Sequence, residues 1–136
     1  LMLKYMLDTN ICIFTIKNKP QIVREAFQQH YDRMCISSIT LMELIYGAEK
    51  SALPEKNLRV VEGFVARLEV LNYGIEAATH TGQIRAEMAK LGTPIGPYDS
   101  MIAAHARALG LVMVTNNTRE FERVPGLRLS DWTVQA

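Results

Sequence analysis

Along this chain, short apolar runs alternate with longer stretches whose apolar residues recur every three or four positions. The first run, Leu3 to Leu7, is stopped by Asp8-Thr9-Asn10, side chains that favour turns and helix N-caps. That pattern predicts a strand feeding directly into a helix. Ile11 to His30 has helical spacing broken at Asn18-Lys19-Pro20, so two short helices are expected there. Met34 to Ser37 reads as a second strand, with Ser37 or Ser38 placed to cap a helix over Ile39 to Lys50. Pro54 suits a first helical turn, where its missing N–H would be unpaired anyway. The helix it opens, to about Leu68, carries Val61, Phe64, Val65 and Leu68 on one face.

Glu69 to Tyr73 is a third short strand, and a helix from Ile75 to Leu91 stops naturally at Gly92. The turn-rich stretch Gly92 to Pro97 leads into a helix over Tyr98 to Leu109, closed by Gly110. Leu111 to Val114 is apolar throughout, as a strand buried on both faces requires. A short helix around Arg119 to Arg123 and a strand near Leu127 to Leu129 complete the pattern. Strands alternating with helices predict an α/β fold, one domain over residues 1–136. Its centre should be a parallel sheet of four to five short strands flanked by helices.

Composition adds limits rather than direction. A hydrophobic fraction of 49% and a charged fraction of 21% describe an ordinary globular chain. No apolar run reaches the ~18 residues of a membrane span. The segment before Asp8 is too short for a secretory leader, so a cytoplasmic location is expected; Leu1, ahead of Met2, is set aside. Cys12 and Cys35 lie among apolar neighbours and read as buried free thiols. His30, His80 and His105 are scattered without CxxC or HxxxH spacing, which argues against zinc. The net charge of +1 gives no global attraction to nucleic acid. Only small basic groups suit phosphates: Lys17 with Lys19, Arg85 with Lys90, Arg119 with Arg123.

In open α/β sheets, sites form beyond the carboxyl ends of the strands. Asp8 follows the first strand directly, Glu43 lies about a turn into the helix after the second, Asp99 opens the helix after the Gly/Pro loop, and Asn117 follows the buried strand. Each alone has an ordinary explanation: an N-cap for Asp8, a helix-dipole partner for Asp99, an ion pair for Glu43, a turn for Asn117. Together they point elsewhere. Glu43 sits in an almost wholly apolar stretch and Asp99 shares the buried stripe of its helix. Ionised carboxylates there cost several kcal/mol unless compensated, and they repel one another. A hard divalent cation resolves both problems, and an oxygen-only donor set suits Mg²⁺ or Mn²⁺ better than zinc. Such a site can activate water and stabilise a leaving oxygen, the chemistry of phosphodiester hydrolysis.

Four segments resemble the PIN-domain nucleases, and among them the VapC-type toxins of bacterial toxin–antitoxin pairs. These are Met6-Leu7-Asp8-Thr9-Asn10, Ser38 to Leu44, Pro97 to Ala106 and Val114 to Phe121, in family order across essentially the whole chain. The resemblance implies a Mg²⁺- or Mn²⁺-dependent endoribonuclease acting on tRNA or another structured RNA, with Asp8, Glu43 and Asp99 at the metal-ligand positions. Where the family often has a fourth acid this chain has Asn117, leaving Glu120, in the next turn, to supply the charge. Thr115 takes the place of the family hydroxyl that positions Asp8 or a metal-bound water. Hydrolysis by in-line water attack would leave 5′-phosphate and 3′-hydroxyl ends.

The resemblance further implies a homodimer, and a hetero-oligomer with a VapB-type antitoxin bound along a helical groove. Ile13, Phe14, Ile16, Leu41, Ile45 and Tyr46 are candidates for such surfaces, although core packing is the expected role of most. Two rival functions share the same acids: a structure-specific DNA nuclease, and a PIN-like module that binds RNA or protein without cutting. Asn117 favours the second rival, and the intact trio of acids speaks against it.

Overall fold

The computed structural model describes residues 2–17 and 20–134. The elements run β1 (Tyr5–Leu7), α1 (Thr9–Lys17), α2 (Gln21–Gln29), β2 (Met34–Ser37), α3 (Ser38–Glu49), α4 (Pro54–Val65), β3 (Glu69–Leu71), α5 (Ile75–Lys90), α6 (Pro97–Ala108), β4 (Val112–Val114), α7 (Thr118–Phe121) and β5 (Arg128–Ser130). The alternation expected from the sequence is present, with five parallel strands in the order β3-β2-β1-β4-β5. Of the expected helix break, Asn18 and Lys19 lie outside the described residues.

Strand side chains alternate between two cores, as the pleat dictates. Tyr5, Leu7, Met34, Ile36, Val112 and Val114 face one way, packing with Ile11, Val23, Phe27, Leu44 and Phe64 of α1 to α4. Met6, Cys35 and Met113 face the other, against Ile84, Met88, Ile102, Ala106 and Phe121 of α5, α6 and α7. Both cysteines are buried free thiols. Among the described residues, no helix is long and apolar enough to cross a membrane.

Element ends differ from the sequence pattern where side chains or turns capture the backbone. The third strand stops at Leu71, short of Tyr73, whose N–H donates to Ser38 Oγ (3.0 Å) outside the ladder. The last strand starts at Arg128 rather than Leu127, because Gly126 turns with a φ of 76° and Leu127 N–H bonds back to Val124. Leu111 lies before β4, its N–H tied to Ala106 in the turn made by Gly110 at a φ of 69°. Helix α1 begins at Thr9, two residues earlier than the apolar spacing indicates, because Asp8 caps it.

The strand order decides where a site can form. β1 is followed in space by β2 on one side and β4 on the other, so the connections leaving β1 and β4 diverge. Such a switch point opens a crevice at the carboxyl ends of the strands. Leu7 and Val114 pair as the last residues of these strands, which puts Asp8 and Thr115 side by side at its floor.

Candidate active site

Asp8 is only 4% exposed. Its backbone N–H donates to Val114 O (2.9 Å), and its Oδ1 accepts from the Ile11 N–H (2.9 Å), the geometry of an N-cap on α1. Burial raises its pKa from 3.8 to about 6, against the hydrogen bonds from the Thr115 side chain and the Ile11 N–H, which favour the ionised form. The negative charges of Asp99 and Glu43 add to the rise. Capping and clustering are therefore two roles of one residue.

Glu43 projects from α3, and Thr9, the first residue of α1, donates to its Oε1 at 2.6 Å. That is a short, charge-assisted bond. Asp99 stands half-buried in the first turn of α6, and burial raises its pKa, with Glu120 and Glu43 pushing the same way. Asn117 is exposed ahead of α7; its N–H donates to Thr115 Oγ1 (3.0 Å) and its Nδ2 to Glu120 Oε2 (2.7 Å). The neutral amide at position 117 thus holds the acid of the next turn, which acts on Asp99.

Among the described residues, the charges that act on Asp8 and Asp99 belong to other acids, and no arginine or lysine neutralises them. Among the described residues, no three His, Cys, Asp or Glu side chains close into a cage around an ion, so Asp8, Glu43 and Asp99 share an electrostatic neighbourhood rather than a tight ligand cluster. Mg²⁺ is suited to that arrangement, since it keeps several waters and takes one or two carboxylates, whereas a structural zinc needs four close ligands. The donors are all oxygen, and the buried, uncompensated charge at Asp8 is what a hard cation would relieve.

Thr9 is the polar contributor that residue spacing does not single out, because its link to Glu43 spans 34 positions. A hydroxyl at the first helical position after a site acid is the available signal. Ser37 and His105 support the site from behind. His105 Nδ1 lies 2.8 Å from Ser37 Oγ, which also accepts from the Ile39 N–H, tying α6 to the start of α3. Of the apolar candidates, Ile13, Phe14, Ile16 and Leu41 pack partly buried on the core, while Ile45 and Tyr46 are exposed.

Comparison with known proteins places this architecture. The PIN domain family model matches residues 5–127. The chain belongs to the PIN-domain family. Within it, this PIN domain is of the VapC type. It is 72% identical over 131 residues to the tRNA(fMet)-specific endonuclease VapC of Salmonella typhimurium, covering 96% of this chain and 99% of that protein. Ribonuclease VapC2 of Haemophilus influenzae is 54% identical over 131 residues, 96% of this chain and 99% of the relative. The crystal structure of DNA-bound VapBC from Salmonella typhimurium superposes with a TM-score of 0.92 at 72% identity, over 96% of this PIN domain and 99% of the matched chain.

Proposed function

We propose that this PIN domain, spanning the whole chain, is a metal-dependent endoribonuclease and the toxin of a type II toxin–antitoxin pair. Its substrate is a structured RNA, tRNA foremost, and its cleavage inhibits translation and growth. A VapB-type antitoxin holds it in check, in a hetero-oligomer built on a toxin homodimer in the cytoplasm. The observation that carries the chemistry is Asp8, buried at the switch point with, among the described residues, only acids acting on its charge. Relatives at 72% and 54% identity, named as tRNA(fMet)-specific endonuclease and as ribonuclease, support the substrate class, and the similarity to the toxin chain of VapBC supports the partner.

Asp8 and Asp99 would hold Mg²⁺ or Mn²⁺, with Glu43 joining directly or through water and Glu120 adding charge. The bound ion would supply Lewis acidity toward the phosphodiester and a lowered pKa for water. The chain's own groups orient the reactants. Thr115 and the Ile11 N–H fix the orientation of the Asp8 carboxylate. Thr9 occupies Glu43 Oε1 and leaves Oε2 to accept a hydrogen bond from the attacking water. In-line attack at phosphorus forms the new P–O bond and breaks the P–O3′ bond, and the proton given up by the water is balanced by one taken up by the departing O3′, giving 5′-phosphate and 3′-hydroxyl products.

The test is cleavage-site mapping on total cellular RNA, with Mg²⁺, with Mn²⁺ and with chelator, beside matched single-stranded RNA and DNA oligonucleotides. Metal-dependent cuts confined to RNA and bearing 5′-phosphates are expected. Products ending in a 2′,3′-cyclic phosphate would overturn the mechanism, since they require attack by the 2′-hydroxyl. Equal cutting of DNA would overturn the substrate class.

A further inference from the structure

Beside the acids lies a second feature that phosphodiester chemistry alone does not use. A cleft of about 710 Å³ is lined by Thr9 and Glu43 at one side and by Tyr46, Lys50 and Tyr98 further out. That volume falls within the roughly 300–1,000 Å³ of small-ligand sites. Tyr46 is 62% exposed and Tyr98 49% exposed, so neither ring is core filling. Tyr46 lies three residues beyond Glu43 on α3, and Tyr98 immediately precedes Asp99 on α6. Each ring is thus carried by a helix that also bears one of the acids, and both rings line the cleft with Glu43.

Charge and space complete the picture. Lys50 Nζ stands 4.8 Å from the centre of the Tyr46 ring, which keeps a cation at the cleft margin. Gly47 also lines the cleft, and nothing lies within 4 Å of where its Cβ would be. The neighbouring groove on the other side of Glu43 is different in kind. It is walled mainly by aliphatic residues, Ile13, Ile16, Leu44, Val60 and Val61, with Lys17 beside them and no aromatic ring among the described residues. An apolar peptide suits that groove. Exposed aromatic faces with a cation next to an acid cluster suit a nucleic-acid base and its phosphate.

We propose that Tyr46 and Tyr98 are substrate-binding residues that stack unpaired bases flanking the cleaved phosphodiester, with Lys50 meeting an adjacent phosphate. This rests on RNA being the substrate. It adds that the tyrosines, rather than the acids, set the affinity for the RNA strand. Stacking needs the ring and not the hydroxyl, so phenylalanine should substitute for either tyrosine.

The experiment titrates the full chain carrying Asp8→Asn, which binds without cutting, into a short single-stranded RNA of mixed sequence containing 2-aminopurine. Added Tyr46→Ala or Tyr98→Ala should each weaken binding about tenfold and abolish the stacking quench of the fluorophore. Tyr46→Phe and Tyr98→Phe should bind as the parent does. Gly47→Leu should also weaken binding, by filling open cleft without displacing a neighbour. In proteins with Asp8 intact, the alanine changes should raise KM and leave kcat near the parent value. Unchanged RNA affinity in both alanine variants, with the parent binding and cutting RNA, would overturn the proposal while leaving the nuclease reading intact. So would lost antitoxin binding with RNA affinity unchanged, which would make the cleft a protein-docking surface. If the parent with Asp8 intact cuts no RNA, the nuclease reading itself fails and this proposal falls with it.

Discussion

Where the strands of the sheet end, Asp8 and Asp99 meet burial and other acids; where the strands begin, arginines meet only acceptors. Arg107, at the far end of α6 from Asp99, donates Nε to His80 Nδ1, Nη1 to Pro125 O and Nη2 to Gln83 Oε1, each at 2.9 Å. Arg128, opening β5, donates to the Gly110 carbonyl. One helix thus carries an unrelieved acid at its first turn and, at its last, a cation bonded through all three guanidinium nitrogens. A satisfied charge of the second kind serves stability. An unsatisfied one costs stability and persists where it does chemistry.

The largest effect should come from removing the most strained charge. Asp8→Asn keeps an N-cap side chain and should lower RNA cleavage by about three orders of magnitude or more, read as kcat/KM under Mg²⁺. The same change should stabilise the metal-free fold. The pKa of Asp8 is about 6 in the folded chain against an ordinary 3.8, so the folded state retains a proton that the unfolded chain releases. Stability from this group is therefore present below pH 3.8 and lost as pH rises through 6, a loss of about 3 kcal/mol once both states are ionised. Chelator-treated Asp8→Asn should exceed the parent by up to that amount at pH 8 and match it near pH 3. Added Mg²⁺ should then raise the Tm of the parent and not of the variant. A variant that is less stable at pH 8 without metal would mean that the Asp8 charge is compensated within the fold, and the reading of it as an unrelieved acid would fail.

The opposite end should respond in the opposite way. Arg107→Met removes three hydrogen bonds from a charged donor and should cost about 2 kcal/mol in urea unfolding, because the donor's partners are left to water. Cleavage per folded molecule should stay at the parent level. A drop in kcat with unchanged stability would show that the two ends of α6 are coupled, and the division between them would fail.

The same contrast explains what the sequence could reveal. Asp8, Asp99 and Thr115 are legible because a strand end or a helix start fixes each one, and the alternating strands determine which end of the sheet they reach. The five strands are legible for the same reason, apart from ends decided by single captured groups such as the Tyr73 N–H on Ser38. Links between distant side chains are not. Thr9 to Glu43 spans 34 positions and Arg107 to His80 spans 27, and each depends on how two helices pack rather than on any local period. The aromatic pair was hidden differently. Tyr46 reads as one more apolar residue of α3 until its 62% exposure is known.

Position 117 yields the smallest expected effect and the finest discrimination. Its amide is bonded on both sides, donating to Thr115 from the backbone and to Glu120 from the side chain. Asn117→Ala keeps the backbone bond and releases Glu120, which should weaken Mn²⁺ binding and lower cleavage by about three- to tenfold, the worth of one hydrogen bond. Asn117→Asp instead places a second acid against Glu120. Without metal it should raise the repulsion at the crevice and lower Tm slightly; with metal it should bind Mn²⁺ more tightly than the parent, as measured by calorimetry. Opposite signs for the two variants in Mn²⁺ affinity would identify Asn117 as a holder of Glu120 at the acid end. Equal shifts in the same direction would reduce it to a turn residue, and Glu120 would then reach Asp99 unaided.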